Sequence, residues 1–204
     1  MNRCSKLLSR KGSICILSGI AMLIAALILI ICNVSEGIQA GKASQEVMVV
    51  LEEKIIPQTT ISEQTLDSDA NEKELTTVID GNDYIGVLEI PSLELVLPVI
   101  SELDDVKLKT APCRYSGSYY TDDMVISGHN YAQHFKNIKN MKVGDEIVFT
   151  ALDGITYRYI VSATEILAAD EVERMVTGEW DLTLFTCTND REHRFAVRCE
   201  RKTE

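Results

Sequence analysis

From Ile14 to Cys32 the chain reads ICILSGIAMLIAALILIIC, without a charge or a proline. As a helix rising ~1.5 Å per residue, this run is ~28 Å long, about one hydrocarbon core. Arg3, Lys6, Arg10 and Lys11 precede it, and Glu36 is the first charge after it. The positive-inside rule then keeps the N-terminus in the cytoplasm and puts the remainder outside the cell membrane. A cleaved signal peptide has a shorter apolar stretch, roughly 7–15 residues. The stretches IQA and GKA are weak cleavage sites, so the run is read as an uncleaved single-pass anchor that contacts membrane lipid. The expected layout is a cytoplasmic tail at 1–13, an anchor at 14–32, an extracytoplasmic stalk at 33–80 and a folded domain at 81–204.

The formal net charge of −11 argues against nucleic acid as a partner, because phosphate backbones require clustered Lys and Arg. Of the six cysteines, Cys4 falls in the tail, and Cys15 and Cys32 at the anchor. Cys113, Cys187 and Cys199 remain outside. An odd number there leaves at least one thiol unpaired even if two form a disulfide, in a compartment where disulfides form.

Residues 33–80 are acidic and polar and read as a spacer with no core of its own. Within it, Glu46–Ile56 has helical spacing, with Val47, Val50, Leu51 and Ile55 on one face. From Tyr84 the texture changes to short alternating runs. YIGVLEIPSLELVLPVI reads as two strands, MVISGHN as a strand ending at Gly128, and DEIVFTALDGITYRYIVSATEIL as a hairpin turning at Asp153–Gly154. WDLTLFTC and RFAVRCER read as the last two strands. YAQHFKNIKNM and DEVERMV have helical spacing, and VKLKTAPCRYSGSYYTDD reads as loop with a short helical turn at its start. About eight short strands with a few short helices suit a closed β-barrel, since closure leaves no unpaired edges.

The stretch TLFTCTNDREHRFAVRC carries the chemistry. A thiol is a nucleophile only as thiolate, which a cationic neighbour favours. Cys187 ends one strand and Arg194 begins the next, so a hairpin sets them side by side. Arg is always charged and has several donors, which suits an oxygen that becomes negative during attack. Arg191, inside the loop, is a minor alternative. Acyl transfer also needs a proton carrier. His129 follows the MVISG strand, where a rigid element can aim it. His134 is expected to be exposed on a helix, and His193 to point to the face opposite Arg194. Thr186 is a candidate to orient the site through its hydroxyl, Thr183 a strand former, and Trp180 a core or groove residue.

These segments resemble the sortases, membrane-anchored cysteine transpeptidases of Gram-positive bacteria. TLFTC matches their TLxTC signature, VISGHN their histidine segment and HRFAVRC the strand that opens with their arginine, across roughly Tyr84 to Lys202. The resemblance implies a mainly β fold, the eight-stranded sortase β-barrel with a few short helices behind an N-terminal transmembrane helix. It assigns His129 as general acid/base, Cys187 as nucleophile and Arg194 as the group that orients substrate and stabilises the oxyanion. It implies cleavage of an LPxTG-like sorting signal through a thioacyl enzyme, and transfer to a cell-wall precursor or pilin amine. No cofactor is required. A calcium site of the kind some sortases use would draw on Asp122, Asp123, Glu165, Asp170, Glu171 and Glu173, a spacing that is not diagnostic.

Four rivals are weaker, one of them a papain-like hydrolase, which shares the Cys–His pairing but normally puts Cys before His, on a helix. Cys187, His193 and Cys199 are spaced C-x5-H-x5-C, without the close pair that structural zinc favours. A Cys113–Cys199 disulfide is no better supported than a buried thiol at Cys199. A membrane-tethered adaptor that only binds peptides would need no free thiol.

Overall fold

The structure is a computed structural model and describes residues 3–55 and 74–202. It divides into two compact units, residues 1–39 and residues 40–204. A helix, α1 (Arg3–Lys54), supplies the described part of the first unit and the start of the second. In the first unit the apolar side chains point outward, with Leu23 72% and Leu29 70% exposed. Among the described residues, α1 is the one helix long and apolar enough to cross a membrane. Its outward apolar face is compatible with a single-pass membrane anchor, because so large an apolar surface is unfavourable in water.

In the second unit the strands are β1 (Thr77–Ile79), β2 (Asn82–Ile90), β3 (Leu95–Ile100), β4 (Cys113–Ser116), β5 (Met124–Ser127), β6 (Glu146–Ala151), β7 (Thr156–Ala168), β8 (Leu182–Cys187) and β9 (His193–Arg201). A short helix, α2 (Val172–Val176), lies between β7 and β8. The hydrogen-bonded order is β1-β2-β3-β4-β5-β8-β9-β7-β6, and β2 also pairs with β6. That second pairing closes β2 to β9 into an eight-stranded barrel, with β1 left as an appended arm. The fold expected from the resemblance is the one found. The barrel interior is filled by side chains such as Leu88, Val99, Ile126, Phe149, Leu184 and Val197, nearly all wholly buried. Each contributes about 1.5–3 kcal/mol relative to exposure.

Three sequence expectations meet a different geometry. YAQHFKNIKNM forms a 3-10 turn at Phe135–Asn140 rather than an α-helix. Phe135 and Ile138 are three apart and both fully buried, and 3-10 geometry aligns residues at that spacing. The loop reading of residues 106–123 missed β4, which is four residues long and carries a bulge between Arg114 and Ser116. A bulge breaks the two-residue period by which a strand is recognised. Finally, the helical patch in the expected stalk is no free spacer. Val47, Met48 and Leu51 are buried with Ile79, Tyr84, Val87 and Ile100 in a second core on the outside of β2 and β3. The unit boundary accordingly falls between Gln39 and Ala40. Residues 56–73, the middle of the expected stalk, lie outside the described residues.

Candidate active site

Three adjacent strands deliver the three expected residues to one place. β5 runs parallel to β8, with Ser127 opposite Phe185. The ladder continues one step, as the Gly128 N–H donates to the Phe185 carbonyl at 3.0 Å. His129 follows directly. β8 runs antiparallel to β9, with Cys187 directly opposite Arg194. Directly opposed residues share a face of the sheet. His129, Cys187 and Arg194 all line one cavity of about 270 Å³. Its walls are mostly apolar, with Leu103, Leu108, Tyr115, Val172, Met175 and Phe185, and Asp105 and Glu171 also contribute. A site with apolar walls and few convergent polar groups is the usual form of a binding cleft.

Local contacts fix this arrangement. The Thr186 hydroxyl donates to the Gly128 carbonyl at 2.7 Å in a buried bond, tying Cys187's neighbour to the residue before His129. The Asn130 amide donates to the Asn189 side-chain oxygen at 3.1 Å, joining the loops after β5 and after β8. Gly128 is required by close approach, since a Cβ there would lie 2.4 Å from the Phe135 ring.

The loop from β8 to β9 is organised by Asp190. Its carboxylate accepts from the Thr188 hydroxyl at 2.5 Å and from the backbone N–H groups of Glu192 and His193. It also meets His193 Nδ1 at 3.0 Å. The Thr188 bond first, then His193, hold the Asp190 carboxyl down at about 2. Arg194 donates through Nη1 to the carbonyls of Arg191 and His193, at 3.2 and 3.0 Å. Arg191 takes the left-handed φ of 64° that the loop needs and is not part of the cavity lining.

Other sequence candidates fall elsewhere. His134 was expected to be exposed, but it is fully buried. Burial, and then the nearby His129, push its imidazole down to about 4. Cys113 and Cys199 are both fully buried free thiols. Burial raises Cys113 to about 11 and Cys199 higher still. Cys199 lies opposite Leu182 and Val161, away from the cavity that Cys187 lines. Thr183 does more than favour a strand, because its hydroxyl accepts from Arg198 at 2.9 Å. Trp180 is half-buried beside Arg198 at a separate shallow depression. Of the carboxylates considered for calcium, Asp122 pairs with Arg201, Glu165 with Arg198 and Arg174, and Glu171 with Arg174. Among the described residues, no three His, Cys, Asp or Glu side chains converge as a metal site.

Residues 88–202 match the family model described as the Sortase domain. Among curated proteins, the chain is similar to Sortase D of Bacillus subtilis (strain 168), 26% identical over 117 residues, covering 56% of this chain and 53% of that protein. It is also similar to Sortase A of Bacillus anthracis, 27% identical over 127 residues, covering 58% and 60%. The chain thus spans little more than half the length of these relatives. Among solved structures, it is similar to sortase A from Corynebacterium diphtheriae, with a TM-score of 0.54, 26% identity, and coverage of 60% and 62%. Sortase C1 from Streptococcus agalactiae gives the same TM-score and identity, with coverage of 62% and 72%.

Proposed function

Because the chain belongs to the sortase family, we propose that it is a cysteine transpeptidase with Cys187 as nucleophile, His129 as general acid/base and Arg194 as oxyanion stabiliser. The observation that carries this reading is the single cavity lined by all three side chains, with Arg194 in register opposite Cys187.

In the proposed reaction the substrate is an LPxTG-like sorting signal lying along the apolar cavity. The Cys187 thiolate attacks the carbonyl carbon of the Thr–Gly-type bond, forming a C–S bond and a negative oxygen. An Arg194 N–H stabilises that oxygen. The C–N bond then breaks, and His129 gives its proton to the departing amine. An acceptor amine, from a cell-wall precursor or a pilin lysine, attacks the thioester. His129 takes the amine's proton and the thiolate leaves. The sequence of steps needs no cofactor. Residues 1–13 stay in the cytoplasm, and the barrel works outside the cell membrane.

The test uses the full chain in detergent with a small set of LPxTG-like peptides and amine acceptors. Mass spectrometry is expected to find the acyl fragment on Cys187 and the ligated product in solution. Cys187→Ala should abolish turnover while peptide binding persists. Undiminished turnover in that variant would refute the mechanism, and absence of any processing in the parent would favour a peptide-binding adaptor.

A further inference from the structure

His134 does not line the cavity, yet it is a fully buried polar side chain near enough to His129 for that ring to help hold the His134 imidazole neutral. Its Nε2 lies 3.4 Å from the hydroxyl of Ser44, which is 2% exposed on the helical segment that opens the second unit. That hydroxyl donates its hydrogen to the Thr110 carbonyl at 2.7 Å. Toward the imidazole it has only lone pairs to offer, so His134 must donate from Nε2. This contact favours the Nε2–H tautomer and, with the backbone of Ala40 and Thr110, restrains the ring.

The ring plane matters because of what stacks on it. The Tyr131 ring lies 5.8 Å from the His134 ring and 4.7 Å from the His129 ring, tilted 33° to the latter. Aromatic pairs at such separations have preferred orientations. The backbone of the same loop is tight as well. The His134 N–H donates to the Tyr131 carbonyl at 3.0 Å, and the Phe135 N–H to the His129 carbonyl at 3.0 Å. The helical segment approaches this loop closely, since a Cβ on Gly41 would lie 2.6 Å from Gln133. From helix to active site there is one continuous series: Ser44, His134, Tyr131, His129.

We propose that Ser44 is a positioning residue for His129, acting through His134 and Tyr131, so that the helical segment 40–54 is a working part of the active site. The assignment rests on His129 being the general acid/base. Removing the Ser44 hydroxyl takes away one restraint on the His134 ring, beside the backbone of Ala40 and Thr110, and so loosens the ring contacts and lets the His129 ring leave its productive orientation. A five- to tenfold loss in rate corresponds to about 1–1.4 kcal/mol, the size of an ordinary hydrogen bond.

The test is made on the full chain in detergent, with Ser44→Ala, Ser44→Thr and Tyr131→Leu. Ser44→Ala should lower kcat about five- to tenfold with KM unchanged. Ser44→Thr, which keeps the hydroxyl, should restore it. Tyr131→Leu should lower kcat similarly, and the Ser44→Ala/Tyr131→Leu pair should be no worse than either alone. A second readout is independent of turnover. The chain has three histidines, so 1H–13C spectra of the rings are simple to assign. In Ser44→Ala the His134 and His129 signals should both move, while the His193 signal, held by Asp190, stays. A shift confined to His134, or an unchanged kcat in Ser44→Ala, overturns the proposal. If Cys187→Ala remains active the transpeptidase reading falls, yet the coupling of the two ring signals is still scored by the spectra.

Discussion

A buried imidazole and a buried thiol are both held neutral by the same cause, loss of water around the charged form. Cys113 and Cys199 illustrate it, with their thiols raised by burial, whereas Cys187 is only half-buried at a cavity wall. His134 has the sharper consequence for stability. Its pKa is about 4 in the folded protein against 6.5 for an ordinary imidazole. The unfolded chain takes up its proton first as pH falls. The stability that the neutral ring contributes is complete above about 6.5, declines between 6.5 and 4, and loses nothing more below that. Over the window the loss is on the order of 3 kcal/mol. His134→Gln, with no proton to gain, should show a flatter acid limb. Urea unfolding of parent and variant at pH 7 and pH 4.5 measures the difference, and parallel limbs would contradict the burial argument.

At the scale of elements, what the sequence made legible depended on period and register. β8 and β9 were plain because LTLFTC and RFAVRC are short runs rich in apolar, β-branched and aromatic residues and a polar loop joins them, and the Cys187–Arg194 opposition follows from hairpin geometry. The expected convergence of His129 with them also rested on resemblance, because it needs the parallel β5–β8 pairing, which no local pattern encodes. The role of Ala40–Lys54 was not legible. Val47 and Leu51 gave a helical stripe, but nothing in a stripe says which surface covers it. That surface is the outer face of β2 and β3, and it explains why Tyr84, Ile85, Val87 and Leu88 are all buried without alternation. Leu51 is wholly buried there, so Leu51→Ala should cost about 2–5 kcal/mol through lost contact and a residual cavity. Denaturant unfolding of the full chain in detergent checks this. A change below about 0.5 kcal/mol, the usual range for surface sites, would mean that the segment does not dock.

At the scale of the molecule the barrel depends on one seam, where β2 pairs with β3 on one side and β6 on the other. Gly86 stands in that seam, opposite Val99 and Ala151. A Cβ at this position would lie 2.3 Å from the Thr150 carbonyl oxygen and 2.7 Å from the Phe149 ring. The first of these is backbone, which has no rotamer with which to yield. Gly86→Ala must therefore push β6 away from β2, exposing ladder groups that are costly to leave unpaired. In the ring order, β8 lies across the barrel from the seam, with β9 and β5 beside it. The cavity residues should then keep their relative positions while closure is weakened. Gly86→Ala is expected to destabilise by at least 1–3 kcal/mol, the usual cost of overpacking, with faster amide exchange in β2 and β6 than in β8 and β9. Turnover per folded molecule should stay near that of the parent. Exchange that accelerates equally in β8 and β9 would mean that the seam and the site open as one cooperative unit.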